Sequence, residues 1–120
     1  MKTAVIILGH GSKNLQDDMA IRQIVSAMKE SGGADIVEYA YLQYSQPSPG
    51  VTVERCVQQG ADTIVVVPFF LQAGTHVRRD IPALLNEMKQ KHLHLDIRAT
   101  DYVGAHPLMN EIVKDLINKK

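Results

Sequence analysis

"TIVVVPFFLQAGTH", residues 63–76, decides how this chain folds. From Thr63 to Phe70 the run is apolar at successive positions. A strand of that kind is buried on both faces, as in the middle of a parallel sheet. The chain then leaves through Gln72, Gly74 and Thr75 and presents a histidine, His76. A second stretch repeats the design. "AVIIL" (4–8) runs straight into "GHGS" (9–12). Two buried strands therefore each end in a small loop carrying one histidine.

Working outward, strand and helix alternate four times. Strand 1 is read at Thr3–Leu8, strand 2 at Asp35–Leu42, strand 3 at Thr63–Phe70 and strand 4 at Leu95–Thr100. Helix 1 is expected from about Asn14 to Ser31, with Ile21, Ile24, Val25 and Met28 at helical spacing and Gly32–Gly33 as a stop. Helix 2 opens at "SPG" (48–50), where Ser48 caps and Pro49 takes the first helical position. Val53, Cys56 and Val57 form its apolar face, and Gly60 ends it. Helix 3 is expected over Arg79–Lys91, burying Ile81, Leu84, Leu85 and Met88. Helix 4 is expected from Pro107, burying Met109, Ile112, Val113 and Leu116.

Four strand–helix units imply a parallel sheet with helices on both faces. Strands 1 and 3 are apolar throughout and belong in the centre. Strand 2 includes Glu38, and strand 4 alternates through Asp96 and Arg98, so both read as edges. Right-handed crossovers then favour the order 2-1-3-4, a four-stranded, flavodoxin-like three-layer α/β sandwich. Its switch point lies between strands 1 and 3, where open sheets bind ligands beyond the carboxyl ends of the strands. His10 and His76 both fall on that rim.

The 120 residues suit one domain covering 1–120, and 45% hydrophobic content is enough for a core. Thirteen basic and thirteen acidic residues balance. That argues against a nucleic-acid partner, which would call for a basic surplus. No apolar run reaches the roughly 18 residues of a membrane helix. The N-terminal apolar run is too short for a signal sequence and reads as a strand. The lone Cys56 fits a reducing, cytoplasmic setting.

Neutral imidazole binds Zn, Fe, Co and Ni, and it is a base that works near pH 7. Two histidines at adjacent strand ends can hold a metal weakly or take protons from a substrate. Ser12, Lys13, Thr75, Arg78 and Arg79 add donors and positive charge, and helix N-termini on the same rim favour anions. Gly9, Gly11 and Gly74 let backbone come close to a flat ligand. The plainer readings are a capping histidine in each loop and an ordinary exposed face at Arg78–Arg79. His106 stands directly before Pro107 and reads as a helix-entry residue. His92 and His94 fall at the far end of helix 3, as a solvated helix end. "GHGSK" matches neither the P-loop nor the dinucleotide pattern.

"GHGS", "PFFLQAGTHVRRDIP" (68–82) and "GAHPL" (104–108) together resemble the class II tetrapyrrole chelatases, and most closely the short sirohydrochlorin chelatases. The likeness spans essentially the whole chain. It implies a lyase that inserts cobalt or iron, with nickel behind, into sirohydrochlorin for cobalamin or siroheme synthesis. It also implies a half-size form working as a homodimer, with no cofactor beyond the divalent metal substrate. It assigns His10 and His76 as the metal-handling and proton-accepting pair. The remaining rim residues, Ser12, Lys13, Gln43, Gly74, Thr75, Arg78 and Arg79, are then expected to meet the tetrapyrrole and its carboxylates. The macrocycle's apolar plane is expected on Phe69–Leu71 or on Tyr41 and Tyr44.

The family usually carries a glutamate after strand 2, where this chain reads "YLQYSQPS" (41–48) and has Gln43. An amide donates and accepts hydrogen bonds but takes no proton and brings no charge to a metal. Either the two histidines suffice, another carboxylate substitutes, or the activity is altered. A non-catalytic metal or tetrapyrrole carrier is the alternative. Phosphoryl transfer through His10 is disfavoured, because Gly9 stands where histidine phosphatases place an arginine.

Overall fold

The computed structural model describes residues 2–12, 19–72 and 74–119. The elements follow in the order β1 (Lys2–Gly9), α1 (Met19–Ser31), β2 (Ile36–Tyr41), α2 (Pro49–Gln58), β3 (Ala61–Pro68), α3 (Thr75–Lys91), β4 (Asp96–Ala99) and α4 (Met109–Asn118), with a short 3-10 turn at Val103–Ala105 before α4. All strand pairs are parallel and the sheet order is β2-β1-β3-β4. The order expected from the burial character of the strands is the order found. Leu8 pairs with Ala40 on one side and Pro68 on the other, so the carboxyl ends of β1, β2 and β3 finish level.

One face of the sheet carries α2 and α3. Ile6, Leu8, Ile64, Val66 and Ile97 pack there with Val53, Cys56, Ile81 and Met88. On the other face α1 sets Ile21 and Val25 against Ile7, Val37 and Tyr41. Ser48 caps α2, its hydroxyl accepting the Val51 N–H at 3.4 Å, with Pro49 next. Residues 13–18, into which the expected start of helix 1 at Asn14 falls, lie outside the described residues.

Two helices differ from expectation. α3 begins at Thr75, four positions before Arg79, and so takes His76 into its first turn rather than leaving it in a loop. The start is hidden because Gly74, in extended backbone, forms the N-cap and offers no capping side chain. Thr75 and Val77 are moreover β-branched, which suits a strand end as well as a helix.

α4 begins at Met109 instead of Pro107. The residues before it wind as 3-10 turns, Met109 to His106, Asn110 to Pro107 and Glu111 to Leu108, and the first α-type bond is Ile112 N–H to the Leu108 carbonyl. α4 also fails to bury its apolar face. Ile112, Val113 and Leu116 are 49%, 51% and 63% exposed, and Met109 is half-buried. A doubly wound sheet would seat α4 beside α1. Instead the β3 residues on that face, Thr63, Val65 and Val67, are only half-buried, while their neighbours Ile64 and Val66 are fully buried on the opposite face. The molecule extends 51 Å along its longest axis, with a radius of gyration of 14.9 Å. A compact chain of this length would have about 13.6 Å. No helix among the described residues is long and apolar enough to cross a membrane.

Candidate active site

The loops after β1 and β2 are joined by a continuation of the strand ladder. Leu42 N–H donates to the Gly9 carbonyl at 3.0 Å and Gln43 N–H to the His10 carbonyl at 3.0 Å. One step further, Ser45 closes the seam from both sides. Its hydroxyl accepts the Ser12 N–H and donates to the Ser12 carbonyl, each at 3.1 Å. Gly11 makes this approach feasible. It has φ +97°, and a Cβ there would overlap the Gln43 carbonyl. Gly11→Ala is therefore expected to cost about 1–3 kcal/mol from the backbone alone, with the steric overlap added. Chemical denaturation measures it, and an unchanged midpoint would mean the seam is not rigid.

His10 rises from this seam, exposed, at the carboxyl rim. The Gln43 side-chain amide nitrogen lies 2.9 Å from His10 Nε2. Phe70, from the end of the neighbouring strand, meets the imidazole edge-on with ring centres 6.3 Å apart. The β3 and β4 loops form a second seam, with Gly104 N–H donating to the Phe70 carbonyl at 2.8 Å. A Cβ on Gly104 would overlap the Leu71 carbonyl.

His76 is the second residue of α3, and Gly74, Thr75, Arg78 and Arg79 stand in or beside the same first turns, all exposed. Its side chain, like the whole of Lys13, lies outside the described residues. The structure thus brings His10, Gln43 and Ser12 together across the β1–β2 seam. It gathers Gly74, Thr75, Arg78 and Arg79 at a helix N-terminus, where the helix dipole and two arginines favour an anion. The expected resting places for an apolar plane divide. Tyr41 is 1% exposed and belongs to the core, whereas Tyr44 and Leu71 are 62% and 70% exposed.

Two of the other histidines make local structural contacts. His106 Nδ1 accepts the Leu108 N–H at 3.1 Å, the helix-entry work that Pro107 suggested. His92 caps the end of α3, 3.4 Å from Glu54, and His94 is exposed nearby. Burial, with a smaller push from Glu38, raises the Cys56 thiol to about 11. Among the described residues no three of His, Cys, Asp and Glu gather as metal ligands. Sequence reasoning set Gln43 among the substrate contacts and missed its bond to His10. The signal was available: Gly9 pairs with Tyr41, so His10 and Gln43 leave adjacent strand ends nearly in step.

The CbiX family matches residues 4–120 of this sequence. The chain belongs to the CbiX family. Within it, the chain is 34% identical over 116 residues to a sirohydrochlorin cobaltochelatase of Sulfurisphaera tokodaii, covering 96% of this chain and 91% of that one. It is 35% identical over 113 residues to the chloroplastic sirohydrochlorin ferrochelatase of Arabidopsis thaliana, covering 94% of this chain and 50% of that protein. This CbiX chain thus spans about half the length of the plant relative. Its fold matches the sirohydrochlorin chelatase SirB of Bacillus subtilis subspecies spizizenii, solved with cobalt, at a TM-score of 0.87 and 26% identity, over 98% of this chain and 50% of SirB.

Proposed function

We propose that this CbiX chain is a lyase that inserts a divalent metal, cobalt or iron ahead of nickel, into sirohydrochlorin, on the way to cobalamin or siroheme. The observation that carries this reading is His10: an exposed imidazole, at the switch-point rim of a chelatase fold, with its Nε2 against a neutral amide. Insertion exchanges two pyrrole protons for one divalent ion. His10 and His76 accept those protons and pass the metal, through a weak and open site that does not trap it. Ser12, Lys13, Gln43, Gly74, Thr75, Arg78, Arg79 and the α3 N-terminus meet the tetrapyrrole and its carboxylates. Exposed Leu71 and Tyr44 support its apolar plane. No redox or nucleotide cofactor enters this exchange; the balanced net charge argues against a nucleic-acid partner, and the lone Cys56 suits a cytoplasmic setting.

The working form is a homodimer. α4 leaves an apolar row exposed, and the β3 residues it would cover in a doubly wound sheet are half-open. Each copy therefore offers both a helix and a seat for one. Consistent with a paired unit, SirB is twice as long as this chain, which covers half of it.

Mixing the protein anaerobically with sirohydrochlorin and Co²⁺, Fe²⁺ or Ni²⁺ tests the activity by the absorbance of the macrocycle. Many turnovers per chain are expected, faster than without protein. An unaccelerated rate overturns the chelatase reading. A single stoichiometric round would instead identify a metal or tetrapyrrole carrier, the reading that Gln43 keeps in view.

A further inference from the structure

We propose that Gln43 is a positioning residue that fixes the tautomer of His10, placing its proton on Nδ1 and leaving Nε2 as the accepting atom. Gln43 is tied to His10 twice, through its backbone N–H to the His10 carbonyl and through its side-chain nitrogen, 2.9 Å from His10 Nε2. The amide nitrogen carries only donors. The imidazole nitrogen facing it must therefore accept, and a neutral ring that accepts at Nε2 holds its proton at Nδ1. The Gly11 and Ser12–Ser45 contacts clamp the two loops, so the backbones that carry the amide and the ring hold a fixed separation.

The chemical consequence follows from polarity. The amide N–H stands where the incoming proton or metal must go. It is a neutral partner, and a neutral hydrogen bond contributes only about 1 kcal/mol net. A pyrrole proton or a divalent ion displaces it readily and finds the Nε2 lone pair already aimed. A carboxylate in the same place only accepts. It would draw a proton onto Nε2, the atom that has to be vacant. Gln43 therefore does for His10 what a chain with a glutamate there must do by another route.

Gln43's role in turnover rests on His10 being the accepting residue, but the tautomer is measured on the protein alone, without metal or tetrapyrrole. Long-range proton–nitrogen NMR of the chain labelled at histidine nitrogen, with the rings neutral, distinguishes the two forms. Wild type is expected to show His10 protonated at Nδ1. Gln43→Met, of similar length without donors, and Gln43→Glu are expected to move the proton to Nε2. Gln43 is exposed, so neither change opens the core. In the insertion assay Gln43→Met is expected to lower kcat roughly ten- to hundredfold, the usual effect of losing a group that orients a ligand, with a smaller rise in KM from the lost tetrapyrrole contact. A wild-type His10 protonated at Nε2, or an Nδ1 proton that persists in Gln43→Met, overturns the proposal. If the NMR result holds and no turnover exists at all, the positioning stands and the chelatase reading falls.

Discussion

His10→Ala is expected to reduce metal insertion to the rate seen without protein, and His76→Ala to do the same. Each replacement removes one of only two groups at the switch-point rim that the chelatase reading gives both to the metal and to the pyrrole protons. Proton transfer by a positioned side chain is typically worth 10²–10⁴-fold, and here the loss of metal handling adds to it. His10 is exposed, and among the described residues its ring meets the Gln43 amide and, in a T-shaped contact, Phe70. Its truncation therefore takes away chemistry and little packing. The folded state is expected to survive, which thermal unfolding followed by circular dichroism checks. Full activity in both variants would sink the site assignment even if the chain proved to be a chelatase.

The second large effect concerns assembly. Wild type is expected to sediment at twice the 13.3 kDa of one chain, and Ile112→Glu combined with Leu116→Glu to sediment at the single-chain mass. Both positions lie on the open face of α4 and are 49% and 63% exposed in one copy, so the carboxylates cost the isolated copy little. In a pair they would be desolvated, at several kcal/mol per ion, and a two-fold pair meets the penalty four times. The apolar surface they replace would contribute about 25 cal/mol per Å² removed from water. Wild type sedimenting as one copy, or the double variant still pairing, would show that α4 is not the face between copies.

The strand order was legible because burial on both faces leaves an uninterrupted apolar run, and Glu38, Asp96 and Arg98 mark the strands that lack it. The helix limits were less so. Amphipathic spacing in α4 shows that Ile112, Val113 and Leu116 share a face. It does not show whether that face meets its own sheet, because periodicity records only that a stripe is apolar. At α3 the absence of a capping side chain concealed a helix start that moves His76 out of its expected loop. The pairing of His10 with Gln43 depends on register and on a glycine with positive φ, neither of which a single sequence states outright.

Cys56 carries a consequence for metal traffic. Thiolates are soft donors that hold iron, cobalt and zinc tightly, and the thiolate rather than the thiol is the ligand. The sequence contains one cysteine, and it lies fully buried in α2 with its thiol raised to about 11. At neutral pH it stays protonated and out of reach. In the proposed function, where metal is handed on, the chain thus offers no thiolate to intercept it.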